Sequence, residues 1–221
     1  MATATIVGTD TCISIPATWE LYLGLLEARG ERNRPKYTFV DGRLTVVSPG
    51  MNHELVKKRL AMMIEDMLEI LGIDFLPCGE VTLRKTLKSQ AGTEADETYY
   101  LTNLERVDGK EKIVMGEDPP PDLAIEVVFW HGEHDALEAH RLIGVREVWV
   151  CKHGELAFLV LGKDGQYTES SRSSLLPFLE SNELAEWLYR PNIVSGTKFK
   201  RLFRAWATET LVPRYRFEVE R

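Results

Sequence analysis

The sequence predicts an α/β (α+β) protein: a mixed central β-sheet flanked by helices, with an extra N-terminal hairpin and C-terminal helices. Three observations carry that expectation. Short runs of β-forming residues crowd the middle of the chain, at 80–86, 95–101, 123–129 and 147–152. One of them, Leu123-Ala124-Ile125-Glu126-Val127-Val128-Phe129, is nearly continuous apolar sequence, as in a strand covered on both faces. Segments with helical spacing precede, interrupt and follow these runs, which makes a layered sandwich.

Taken in order, residues 15–30 place Trp19, Leu21, Tyr22, Leu25 and Leu26 close to a helical period, and Gly30 with the polar run to Pro35 ends the helix. Two β-rich runs, 37–40 and 44–47, are joined through Asp41-Gly42. That pair signals a hairpin, because both turn positions favour positive φ. In 52–71, Val56, Leu60, Met63, Met67 and Leu71 recur every three or four residues, with Lys57, Lys58, Glu65, Asp66 and Glu69 on the polar side; Gly72 stops this helix. A helix over 133–143, closed by Gly144, separates the strands at 123–129 and 147–152. His153-Gly154 turns the chain into 156–161, and Lys163-Asp164-Gly165 turns it into 166–169. Helices at 182–189 and 197–211 complete the chain. The Arg190-Pro191-Asn192 break divides it into an expected domain, 1–190, and a basic helical appendage, 191–221, packed on that domain.

Composition narrows the function. Apolar residues are 44% and charged residues 28% of the 221, which allows a packed core and argues against wholesale disorder. No stretch approaches the ~20 apolar residues of a membrane span. Residues 1–16 lack the basic lead and apolar block of a secretory signal. A cytoplasmic protein without membrane association is expected. Cys12, Cys78 and Cys151 are scattered and contain no CxxC pair, which excludes a disulfide framework and a cysteine zinc site. The net charge of −7 argues against a passive nucleic-acid coat. Residues 190–221 nevertheless hold eight Lys/Arg against three Asp/Glu. Contact with a polyanion must be local, or offset by a metal.

Glu126 is the most informative residue, a lone acid in an apolar strand. A carboxylate there costs several kcal/mol unless it is paired or coordinated. The bland alternative is a buried salt bridge. Alternation puts Asp122, Ala124 and Glu126 on one face. A second acidic cluster lies in Glu94-Ala95-Asp96-Glu97-Thr98-Tyr99-Tyr100, where Glu94, Asp96 and Thr98 share a face at the start of the preceding strand. Carboxylates converging from adjacent strands make an oxygen site for a hard divalent cation, Mg²⁺ or Mn²⁺. Such a cation activates water and neutralises charge on a phosphodiester. Other features weigh less. His131, His134 and His140 have spacings poorly suited to zinc on a helix face, and no phosphate-cradling glycine loop or Ser-His-Asp arrangement is present. Phe199, Leu202, Phe203 and Trp206 make an apolar helix face beside Lys198, Lys200, Arg201 and Arg204. This reads as a docked helix with a solvated basic side, or as a contact for phosphate backbone.

Five segments together resemble a large bacterial family assigned to the restriction-endonuclease-like PD-(D/E)XK superfamily. They are Asp41-Gly42-Arg43-Leu44, Ser48-Pro49-Gly50-Met51-Asn52-His53-Glu54, Glu94-Ala95-Asp96-Glu97, Pro120-Pro121-Asp122 through Glu126-Val127, and Gly144-Val145-Arg146-Glu147-Val148-Trp149. The resemblance covers roughly 17–190. It implies a restriction-endonuclease-like core, with Asp96 as the acid of the PD element (Ala95 replaces the proline) and Glu126 as the acid of the (D/E)XK element. It also puts His53 in a slot usually held by histidine. Position 128 is valine, so the strand pattern lacks its lysine. In the family the lysine migrates to the following helix, and that slot here is Ala136, with His140 where an aromatic is usual. Lys85, His131, His134 and His140 are the candidate substitutes, and Glu94 or Asp122 could complete a metal shell through water.

The resemblance thus implies a metal-dependent DNA endonuclease impaired by Ala136, with Asp96 and Glu126 holding Mg²⁺ or Mn²⁺ and a homodimer expected by analogy with nucleases that cut two strands. The alternative is a catalytically inactive nuclease-fold protein acting as a DNA- or protein-binding, regulatory module.

Overall fold

The structure, a computed structural model, describes residues 3–7, 10–85, 90–111, 113–114, 116–129, 133–191 and 195–220. The hairpin expected around Asp41-Gly42 is strands β3 (Lys36–Val40) and β4 (Arg43–Ser48), paired from Lys36↔Val47 to Val40↔Arg43. Asp41 and Gly42 both adopt left-handed φ, 50° and 71°, as a two-residue turn between right-twisted strands requires. Strands β1 (Thr3–Val7) and β2 (Asp10–Pro16) form another hairpin ahead of it, and β2 pairs with β4. With β6 (Thr82–Lys85) and β7 (Ala91–Glu94), these strands make an antiparallel sheet in the order β1-β2-β4-β3-β7-β6. The sequence leaves β1 and β2 unannounced. Residues 10–16 are strand, and helix α1 (Trp19–Arg29) begins only after Thr18, whose hydroxyl accepts the Leu21 N–H.

The expected mixed sheet is the second one. Its order is β12 (Tyr167–Ser170), β11 (Glu155–Leu161), β10 (Glu147–Lys152), β9 (Leu123–Val128), β8 (Glu97–Tyr100) and β5 (Leu76–Pro77). Only β9 and β10 run parallel, through helix α3 (Glu133–Ile143), and the other pairings are antiparallel. The strand expected over 95–101 is β8, whereas the one expected over 80–86 is β6 and joins the first sheet instead. β7 lies in the first sheet and β8 in the second, and the chain crosses between sheets at Ala95-Asp96. Thr86 and Asn192, each expected in an element or a break, lie outside the described residues.

Strand β9 is buried throughout, and its alternation separates two cores. Leu123, Ile125 and Val127 face helix α2 (Met51–Leu71) and the C-terminal helices, packing with Leu60, Met67, Trp149 and Phe158. Ala124 and Val128 face the other way, with Val148, Val150 and partly buried Leu137 of α3. Glu126 shares their side of the strand. A smaller cluster of Trp19, Tyr22, Tyr37, Phe39 and Leu44 fixes α1 to the first sheet. Helix α4 (Ser181–Leu188) and helix α5 (Gly196–Trp206) join the larger core through Trp187, Phe199 and Phe203. The helix expected to end at residue 211 instead passes through a π-helical turn, Ala207–Leu211, into α6 (Val212–Val219). Much of the basic side of α5 is neutralised: Lys200 and Arg204 pair with Asp66, and Arg204 also with Glu69. Cys12, Cys78 and Cys151 are free thiols. Among the described residues no helix is long and apolar enough to cross a membrane.

Candidate active site

Asp96 stands where the chain leaves the first sheet for the second, and it is 1% exposed. Its main-chain N–H donates to the Ile125 carbonyl (2.9 Å), and its Oδ2 accepts the Val127 N–H (2.7 Å). The peptides on both sides of Glu126 are thus tied to Asp96. Oδ1 accepts from His53 Nε2 at 2.8 Å and forms an ion pair with Lys36 Nζ. Burial pushes the Asp96 carboxyl upward, but Lys36 and then His53 outweigh it and hold it well below the usual carboxylate range. Burial likewise opposes the charge on Lys36, and Asp96 first and Glu126 next reverse that, leaving the ammonium above its ordinary value. For His53, burial is again the opposing influence; the hydrogen bond to Asp96 and its charge leave the imidazole raised.

Each donor has a local reason for its place. Lys36 opens β3, the strand beside β7, so its side chain reaches the end of β7 where Asp96 follows. His53 is in the first turn of α2, and a second carboxylate, Asp10, lies 3.2 Å from its Nδ1. Glu126 Oε1 accepts from His140 Nε2 at 2.7 Å, and His140 is fully buried on α3.

Lys36, His53, Asp96, Glu126 and Ala136 line one cavity, with Thr38, Thr45 and Glu94 also on its wall; it holds about 30 Å³ of free space. That is room for an ion or a water or two. The four positions singled out from sequence, His53, Asp96, Glu126 and Ala136, are therefore together. The candidate substitutes for the lysine fare differently. Lys85 is exposed and donates to the Leu142 carbonyl (2.6 Å), His134 is exposed, and His131 lies outside the described residues. Among the described candidates, His140 is the one that reaches the site. The amine that does reach it, Lys36, is a residue that sequence reasoning missed.

Two acids considered for completing a metal shell have other work. Both oxygens of Glu94 are taken by a buried pair with Arg29, and they also accept from the Tyr37 N–H and the Thr82 hydroxyl. Asp122 accepts four hydrogen bonds, from the Leu101 and Asn103 N–H groups, the Thr102 hydroxyl and the Asn103 amide. Among the described residues no three His, Cys, Asp or Glu side chains gather into a metal-holding group. Asp96 and Glu126 are two hard oxygen donors, and that set suits Mg²⁺ or Mn²⁺, which keep waters and take substrate oxygens for their remaining positions.

The chain matches the Uma2 family model, described as "Putative restriction endonuclease", over residues 19–190. Among solved structures it is similar to the crystal structure of a "putative nuclease belonging to DUF820" from Anabaena variabilis ATCC 29413. Sequence identity is 15% and the TM-score 0.52, over 78% of this chain and 99% of that one. No curated protein matches.

Proposed function

Because the chain belongs to the Uma2 family and has a restriction-endonuclease-like fold, we propose that it hydrolyses phosphodiester bonds of DNA with a divalent cation held by Asp96 and Glu126. The observation that carries this reading is the convergence of Asp96, Glu126 and Lys36 on one cavity. A bound Mg²⁺ or Mn²⁺ would supply charge neutralisation at the phosphodiester and a more acidic water.

The chain's own residues do the rest. Asp96 is held by Lys36, His53 and the Val127 N–H, and Glu126 by His140, so both carboxylates are oriented before substrate arrives. Lys36 stands in for the lysine absent at Ala136. Its ammonium, shielded from water on the cavity wall, would be the donor for negative charge developing on the phosphorus oxygens. One cavity of this kind cuts one strand. A nick is the first product, and a homodimer is the arrangement that would cut both strands.

The test is nicking of supercoiled DNA by purified protein in Mg²⁺ or Mn²⁺. Activity that disappears with chelator, in Asp96→Ala and in Glu126→Ala supports the reading. No metal uptake by wild type at millimolar concentration removes its basis. One observation favours a second reading, a non-catalytic binding module: Asp96 is already neutralised by an internal cation and Glu126 is tied to a histidine. Retained DNA binding without cleavage in either metal would select it.

A further inference from the structure

Asp10 is the first residue of β2, ahead of the family-matched residues 19–190. An acid at a strand end is ordinarily solvated, yet Asp10 is only 2% exposed. Both of its oxygens are committed. Oδ1 accepts the Gly50 N–H at 2.6 Å, and Oδ2 lies 3.2 Å from His53 Nδ1. The opposite nitrogen of the same ring, Nε2, is 2.8 Å from Asp96 Oδ1. The ring is also 2% exposed, so water does not compete for either contact. A carboxylate is an acceptor, so each contact is a hydrogen bond where the ring presents an N–H to it.

The sheet explains how a residue 43 positions from His53 comes to touch it. Pairing of β2 with β4, from Thr11↔Ser48 to Pro16↔Arg43, carries Asp10 to the point where the chain leaves β4. Gly50 and then α2 begin there, and His53 is in the first turn. Strand β2, through its pairing with β4, is therefore what delivers the carboxylate.

We propose that Asp10 is a positioning residue of the active site: acting through His53, it fixes the orientation of the Asp96 carboxylate, which makes the N-terminal hairpin part of the catalytic assembly. The role in catalysis rests on the metal-dependent reading above. Asp96 Oδ1 is shared between Lys36 and His53. With the ring pinned, that oxygen is directed by a rigid donor on a helix. With the ring free to turn, Oδ1 is left to the flexible lysine chain, and the Val127 N–H holds only Oδ2. The competing role is structural, an anchor for the start of α2 through the Gly50 N–H.

Asp10→Asn separates the two roles. The amide oxygen still accepts from Gly50, whereas the NH₂ that replaces Oδ2 cannot accept from His53 Nδ1. Two readouts apply. In metal-free, ¹⁵N-labelled protein, His53 shows hydrogen-bonded ring N–H resonances, assigned by their loss in His53→Gln. In Asp10→Asn the Nδ1–H resonance disappears and the Nε2–H resonance shifts or broadens, with the melting temperature near that of wild type. Mn²⁺ affinity by calorimetry weakens about 10–100-fold, as for other partners that orient metal-holding side chains. An Nε2–H resonance unchanged in the variant, with wild-type Mn²⁺ affinity, overturns the proposal and leaves Asp10 as an anchor. Absence of Mn²⁺ uptake by wild type overturns the nuclease reading instead, and the ring resonances still decide whether Asp10 positions His53.

Discussion

Lys36 and Asp96, 60 residues apart in the chain, form a buried ion pair on the wall of the cavity that Glu126 and Ala136 also line. The lysine side chain is 8% exposed and the carboxylate 1%, so neither charge is there for solubility. Lys36→Met keeps most of the volume and removes the charge, while His53 and the Val127 N–H continue to hold Asp96. Cleavage should fall about 10²–10³-fold, the usual effect of losing one preorganised donor. Adding Ala136→Lys to that variant supplies an amine from another wall of the same cavity and should restore part of the rate. Single-turnover cleavage of a nicking substrate reads both effects. A Lys36→Met protein that is folded, metal-bound and fully active would remove the lysine from the mechanism.

Asp122 behaves as a structural acid, despite sitting one residue before the strand that carries Glu126. Its four hydrogen bonds close the turn at 101–103. Asp122→Ala leaves four donors in a part-buried turn without their acceptor and should cost about 1–3 kcal/mol in denaturant unfolding. Mn²⁺ affinity, measured by calorimetry on the folded fraction, should stay at the wild-type value, in contrast to Glu126→Ala.

The packing of α1 on the first sheet depends on a missing side chain. A Cβ at Gly92 would lie 2.3 Å from the Tyr22 hydroxyl oxygen and 2.6 Å from its ring carbon. Gly92→Ala must push a fully buried tyrosine aside, and should lower stability by about 1–3 kcal/mol. Among the described residues the Tyr22 hydroxyl has no hydrogen-bond partner. Tyr22→Phe alone should therefore be neutral or slightly stabilising in the same unfolding assay.

Glu97, next to Asp96 but in β8, titrates in the opposite sense. Burial pushes its carboxyl up against the pull of Lys57 and Lys58, and Glu65 and Glu80 add to the rise. A carboxyl whose folded pKa exceeds its unfolded one costs stability as pH rises between the two values. Glu97→Gln should match wild type below the ordinary glutamate range. It should gain on wild type as pH rises through that range, and hold its full advantage above the raised folded value. Melting temperatures of both proteins from pH 4 to 8 show whether the gap opens in that direction.

The parts of the site that sequence reveals are those whose local pattern is anomalous. Glu126 is visible because an acid interrupts an apolar strand, whereas Ala136 is singled out only through the family resemblance, which puts the migrated lysine in that slot of the 133–143 helix. Asp96 is visible through its neighbours. Lys36 is not, because a lysine at the start of a hairpin strand is ordinarily solvated; its burial arises only when β3 lines up beside β7. Asp10 is hidden for the same reason, and β1 and β2 follow no alternation or turn signal strong enough to announce a hairpin. β7 is hidden as well, because Ala91-Gly92-Thr93-Glu94 carries no run of β-forming residues, and distant strands decide which sheet β7 and β8 each join. The fold class and the ends of the helices at 51–71, 133–143 and 181–188 are thus legible locally, while the cationic half of the site depends on tertiary pairing.

Crystals grown with Mn²⁺ and measured at its absorption edge bear most directly on whether Asp96 and Glu126 hold a divalent cation. The expected result is one anomalous peak within coordinating distance of both carboxylates, with Lys36 still facing the same cavity, and no peak in Glu126→Ala. A peak that bypasses these two residues, or wild-type crystals that take up no metal while Lys36 and His140 keep their present contacts, would contradict the account.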